Sequence, residues 1–144
     1  MAKEIEIPMH GPEGRYVTLA DVLRCVNGEP LRWRVLEFSG VGRMPNGMSV
    51  DEFERVANFA PGGVPFEWAS LLEFAAALAE THDLSLVGTG DDRFAEQTSL
   101  DDERLSGAPV YIQALDSGRW VVSGRAEFVN AAALARLSAE VRAE

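Results

Sequence analysis

His10, Cys25, His82 and the carboxylates Asp91, Asp92, Glu96, Asp101, Asp102 and Glu103 are the side chains of this 144-residue chain whose chemistry could go beyond packing. A thiol and an imidazole make a nucleophile and base only when the fold brings them together. Cys25 lies among Val22, Leu23 and Val26, and apolar neighbours keep a thiol protonated and inert, so it reads as a buried structural residue. His10 stands in a Pro/Gly loop. His82, next to Asp83, is expected at a helix C-terminus, where the dipole favours an imidazolium. No His/Cys/Asp/Glu spacing of the His-Glu-x-x-His kind is present, so no metal and no cofactor is expected. Asp91, Asp92, Glu96 and the Asp101-Asp102-Glu103 run carry the hard oxygens that Ca²⁺ or Mg²⁺ take. They lack the alternating acids, central glycine and closing glutamate of an EF-hand loop, and read as a solvated acidic stretch.

Two glycine loops invite a nucleotide reading. Gly40-Val41-Gly42 continues into Arg43-Met44-Pro45 without a third glycine at the required offset. Lys3 is the only lysine, so no phosphate-loop lysine exists. Gly88-Thr89-Gly90 leads into Asp91-Asp92, which repel a phosphate. Glu67 beside Trp68 and Glu73 beside Phe74 are adjacent in sequence, and a helix turns adjacent residues to different faces, so neither carboxyl is held against its aromatic neighbour. Trp33, Trp68 and Trp120 are core residues or interface anchors, a choice that burial decides, and their place in periodic apolar stripes favours the core.

The whole chain is acidic. Twenty-three Asp and Glu against thirteen Lys and Arg give a formal charge of -10. That charge disfavours nucleic acid and anionic membranes, and it speeds encounter with basic partners. At 144 residues and 47% hydrophobic, the chain is long enough for a single domain, 1–144, burying roughly two thirds of its unfolded surface. No run approaches the roughly 18 apolar residues that span a bilayer, and Glu4 and Glu6 stand where a signal peptide needs an apolar core. A cytoplasmic location is therefore expected.

The elements that must position these residues read as mixed α and β. Glu4-Ile5-Glu6-Ile7 alternates and stops at Pro8, as a short edge strand does. Residues 8 to 15 form a loop. Thr18 caps a short helix with Leu19, Val22, Leu23 and Val26 on one face, ended by Asn27-Gly28. Leu31 to Phe38 reads as a half-buried strand with Leu31, Trp33 and Val35 inward and Arg32 and Arg34 outward. Ser39 to Gly47 is expected to be a surface loop. Ser49 and Glu52 form a capping box for a helix with Phe53, Val56 and Ala57 inward, stopped at Pro61-Gly62-Gly63. The spacing of Trp68, Leu71, Leu72, Ala75, Leu78 and Ala79 predicts a longer helix from about Phe66 to Thr81, followed by a strand at Leu84 to Val87. Pro109 to Leu115 and Arg119 to Ser123 flank Asp116-Ser117-Gly118 as an antiparallel hairpin. Asn130 caps a last helix with Ala133, Leu134, Leu137 and Val141 as its stripe. These elements predict an α+β fold: an antiparallel sheet packed with helices, with a C-terminal hairpin followed by a helix.

Pro65-Phe66-Glu67-Trp68-Ala69-Ser70-Leu71-Leu72 entering a helix after a loop-rich first half, and Leu115-Asp116-Ser117-Gly118-Arg119-Trp120-Val121-Val122 before the last helix, resemble small bacterial immunity proteins of polymorphic toxin systems. The resemblance covers about half the chain and implies a protein that neutralises a toxin by binding it, with no catalytic residues. It implies that Asp91, Asp92, Glu96, Asp101, Asp102 and Glu103 face a basic partner surface. Arg119 and Trp120 are the anchors expected beside them on that partner. Two other classes stay open on the sequence. One is a small-molecule or metal-dependent enzyme assembled from His82, Asp91, Asp92 and Glu96; the other is a homo-oligomeric scaffold.

Overall fold

In the computed structural model, which describes residues 3–90 and 108–142, six strands form one antiparallel sheet. They are β1 (Lys3–Pro8), β2 (Arg32–Gly42), β3 (Val64–Phe66), β4 (Leu78–Thr89), β5 (Val110–Leu115) and β6 (Arg119–Gly124), in the order β1-β6-β5-β4-β2-β3. Four helices pack with it: α1 (Leu19–Leu23), α2 (Val50–Phe59), α3 (Trp68–Ala77) and α4 (Ala131–Arg142). The α+β fold, the edge strand at Ile5 and Ile7, the hairpin and the helix after it agree with the sequence reading. Among the described residues no helix is long and apolar enough to cross a membrane.

Strand register sorts the side chains into two faces. Across the sheet, Ile5, Val122, Ile112, Leu86 and Val35 form one row, and Ile7, Trp120, Ala114, Leu84 and Phe38 form the next. Except for Ile5, which is half-buried, all are buried, and they share a core with Leu19, Val22 and Leu23 of α1, Leu71 and Phe74 of α3, and Leu134 and Val141 of α4. The intervening row, Glu6, Val121, Gln113, Ser85 and Glu37, faces the other way. On that second face Val87, Tyr111 and Ala108 make a smaller buried cluster with Leu36 against it.

β2 breaks parity. Trp33 and Val35 are inward at odd positions, then Phe38 is inward at an even one, because a bulge inserts one extra residue between Val35 and Glu37. Both Leu36 and Glu37 thereby leave the core side. The bulge lets β2 run on to Gly42 against β4, so part of the expected Ser39–Gly47 loop is strand. β3 pairs only with Trp33 to Val35, and beyond it the backbone of Phe38 is met by a side chain instead. Asn58 Oδ1 accepts from Phe38 N–H (3.0 Å), and Asn58 Nδ2 donates to the Phe38 carbonyl (3.2 Å). One amide thus meets the obligation of two backbone groups at this edge.

The helices follow their caps. Thr18 accepts from Asp21 N–H and Ser49 from Glu52 N–H, each closing a capping box, and Asn130 Oδ1 accepts from Ala133 N–H. Two stripe expectations need correction. α3 stops at Ala77, and Leu78 to Thr81 join β4, because pairing with Gly42, Val41 and Gly40 of β2 outweighs continued helical periodicity. Val56 and Leu72, read as inward, are 38% and 40% exposed. The core below α2 and α3 is aromatic: Phe53 meets Phe38 edge-on at 5.3 Å and Phe74 at 5.1 Å.

Trp33 and Trp120, 1% and 0% exposed, must satisfy their indole N–H groups inside the core. Trp33 donates to the Gly28 carbonyl (2.9 Å) and Trp120 to the Val17 carbonyl (3.0 Å). Gly88 gives Trp33 its room, since a Cβ there would lie 2.9 Å from the ring. Replacing Trp120→Phe removes the donor and leaves the Val17 carbonyl unpaired. The expected cost is about 1–3 kcal/mol, read as a lower midpoint in urea unfolding with an unchanged slope.

Candidate functional site

Of the sequence-predicted site, Asp91, Asp92, Glu96, Asp101, Asp102 and Glu103 lie outside the described residues. Arg119 is exposed at the hairpin edge, and its Nε lies 3.1 Å from Glu6 Oε1 with both side chains 55% exposed. Solvent screens such a pair, so it holds Arg119 loosely. Trp120 is corrected from interface anchor to core residue. Strand alternation carries its ring inward from Arg119, and its N–H is already taken by Val17.

The fold builds a different acidic surface where α2 meets the bulged stretch of β2. A groove of about 420 Å³ is walled by Leu36, Glu37 and Ser39 of β2, Glu54, Asn58 and Phe59 of α2, and Asp83 of β4. Glu37 reaches it because of the bulge. Glu54 and Asn58 reach it because residues four apart share a helix face. Asp83 Oδ1 accepts from Asp116 N–H (3.0 Å), whereas Glu37 and Glu54 have no cation partner among the described residues. Phe59 ends α2 with 82% of its surface exposed. Its position was legible in part: at 100° per residue it points about 120° away from Phe53, off the apolar stripe. Glu37 was not legible as a wall of this groove, because the bulge that turns it outward depends on pairing with β4.

A second constellation gathers both histidines. A cavity of about 470 Å³ is lined by His10, Gly14, Tyr16, Ala79, Glu80, Thr81, His82 and Ser117. His82 is corrected from a helix C-terminus to the middle of β4, and Glu80, two residues away on the same face, places Oε2 3.3 Å from its Nε2. Tyr16 stacks at 5.1 Å on His10, and its hydroxyl oxygen accepts from Thr81 N–H (2.8 Å). Ser117 arrives on a hairpin turn in which Asp116 and Ser117 both have positive φ, 50° and 56°. Among the described residues no group of three His, Cys, Asp or Glu side chains is placed to hold a metal ion.

No family model, characterised protein or solved structure matches the chain.

Cys25 is buried just past the end of α1, its thiol 3.8 Å from the Asp21 carbonyl. Burial pushes its pKa up; Arg136 draws it down and Asp21 adds to the rise. A raised pKa means less thiolate at neutral pH. A disulfide reagent at pH 8 should therefore label the native protein far more slowly than the urea-unfolded chain, and the native rate should keep climbing at pH values where an exposed thiol has levelled off.

Proposed function

We propose that this chain is a non-enzymatic binding protein that docks on a basic protein partner and neutralises it, in the manner of an immunity protein or inhibitor. The observation that carries the reading is Phe59, an aromatic ring 82% exposed beside Glu37 and Glu54, which have no cation partner among the described residues. Apolar anchors ringed by charge complementary to a partner are how interfaces combine affinity with rapid encounter. The formal charge of -10 supports the same reading by steering a cationic partner from a distance.

The test is capture of the partner from the native host on tagged protein at low and high salt. The expected result is a stoichiometric basic protein that is released as ionic strength rises. Reversing Asp91, Asp92, Asp101, Asp102 and Glu103 should slow its association while circular dichroism stays unchanged. No partner, or a partner indifferent to both salt and charge reversal, overturns the reading.

A second reading is supported by the cavity that holds both histidines. Glu80, His82, Tyr16 and Ser117 are residue types that orient and transfer protons, and this favours a small-molecule enzyme as the alternative. Turnover of a chromogenic ester or phosphoester that disappears in His82→Gln would establish it. Wild-type inactivity across such a panel together with a captured basic partner would dismiss it.

A further inference from the structure

We infer that Asn46-Gly47 is a site of spontaneous covalent modification, at which the asparagine turns into aspartate and isoaspartate through a succinimide. The chain's other Asn-Gly step, Asn27-Gly28, is protected from the same reaction by the fold. This chemistry goes beyond the binding reading and holds whatever the partner is.

Glycine after asparagine opens this route because no Cβ shields its amide nitrogen and its backbone turns freely. Solvent base takes the Gly47 amide proton, the nitrogen attacks Asn46 Cγ, and formation of the N–Cγ bond expels Nδ2 as ammonia. Water then opens the five-membered imide. Cleavage at Cγ gives aspartate, and cleavage at the Asn46 backbone carbonyl gives isoaspartate, whose main chain runs through the side-chain methylene. The balance is an amide and water in, a carboxylate and ammonia out, with no change of oxidation state. Each conversion adds one negative charge to a chain whose formal charge is already -10.

The fold treats the two steps differently. Asn46 and Gly47 are exposed on the turn Pro45–Gly47 between β2 and α2, and a Cβ placed on Gly47 would meet no atom within 4 Å. Asn46 sits at φ 57° and ψ 27°, a left-handed conformation that asparagine tolerates. Ring closure needs the Gly47 nitrogen turned toward Cγ, so ψ of Asn46 must rotate and the turn must open. Across the step Met48 N–H donates to the Pro45 carbonyl at 3.1 Å, and opening an exposed turn of this kind costs little. Asn27-Gly28 is clamped instead. Asn27 N–H donates to the Phe128 carbonyl (2.7 Å), and the Gly28 carbonyl accepts from Leu31 N–H (3.1 Å) and from Trp33 Nε1 (2.9 Å). Gly28 is buried, and a Cβ there would run into the Trp68 and Trp33 rings. Turning this peptide would break all three bonds and leave a buried indole N–H without its acceptor.

The experiment is incubation of the full-length protein in warm, mildly alkaline buffer, followed by brief tryptic digestion below neutral pH and mass spectrometry. Peptide 44–55 carries Asn46 and peptide 25–32 carries Asn27. The expected result is that peptide 44–55 gains the mass of amide-to-acid exchange and separates into aspartyl and isoaspartyl forms. Methyl transfer from labelled S-adenosylmethionine by an isoaspartyl methyltransferase should mark the second form alone. Peptide 25–32 of the native protein should convert at least about tenfold more slowly, the factor expected when several hydrogen bonds must part first. In urea the two rates should converge, because the fold no longer separates them. Asn46→Gln, at an exposed position, would have to close a six-membered ring and should abolish the gain in peptide 44–55 while leaving peptide 25–32 as before. A native peptide 44–55 that stays intact while the unfolded chain converts would overturn the assignment. So would native conversion of Asn27 as fast as that of Asn46, or a mass gain without any isoaspartyl form, which would mean direct hydrolysis and no imide.

Discussion

Two buried indole N–H groups organise this protein, because each must find a carbonyl where water cannot reach. Both find one in the segments that flank the same short helix: Trp120 of β6 donates to Val17 before α1, and Trp33 of β2 donates to Gly28 in the turn that follows α1 and Cys25. α1 has five helical residues, fewer than a free helix needs to persist in water. Its permanence comes from the sheet bonds of the segments on either side of it and from burying Leu19, Val22 and Leu23 in the core. The same two bonds tie β6 of the hairpin and β2 to the first third of the chain. Gly28 and Gly88 belong to this arrangement, since a side chain at Gly28 would run into the Trp68 and Trp33 rings and one at Gly88 into the Trp33 ring.

The opposite end of the sheet is governed by an edge. β3 is three residues long and leaves most of the outer side of β2, the side away from β4, without a neighbouring strand, a position at which exposed backbone groups invite pairing with another chain. The helix α2 answers with Asn58, whose amide stands in for a strand at Phe38. The bulge at Leu36 serves the same region in a second way. It keeps Phe38 in the aromatic core with Phe53 and Phe74 and turns Glu37 toward the surface. One local irregularity therefore supports both packing and the electrostatics of the groove.

Charge ties the architecture to the function proposed for it. The described ion pairs, Arg15 with Glu140, Arg24 with Asp21, His82 with Glu80 and Arg119 with Glu6, all lie at the surface and leave Glu37 and Glu54 uncompensated. Uncompensated like charge around an exposed phenyl ring is unfavourable for the isolated protein. It becomes favourable when a cationic surface covers it, and for this reason the groove reads more naturally as half of an interface than as an ornament of the monomer.

Much of the fold was written in local pattern. Alternation at Ile5 and Ile7, the capping boxes at Thr18 and Ser49, the Asp116-Ser117-Gly118 turn and the Asn130 cap each act within a few residues, so their meaning survives without tertiary context. Local pattern misleads where a distant segment competes for the same residues. Residues 78–81 carry helical spacing, yet they become strand because β2 offers them hydrogen bonds, and His82 moves with them into β4. The acidity of the chain, its single buried thiol and the inward side of Trp33 follow from composition and periodicity. The convergence of Glu37, Glu54, Asp83 and Phe59, and that of His10 with His82, does not. Such sites join side chains from separate elements, and only strand order, the bulge and the docking of α2 bring them within reach of one ligand.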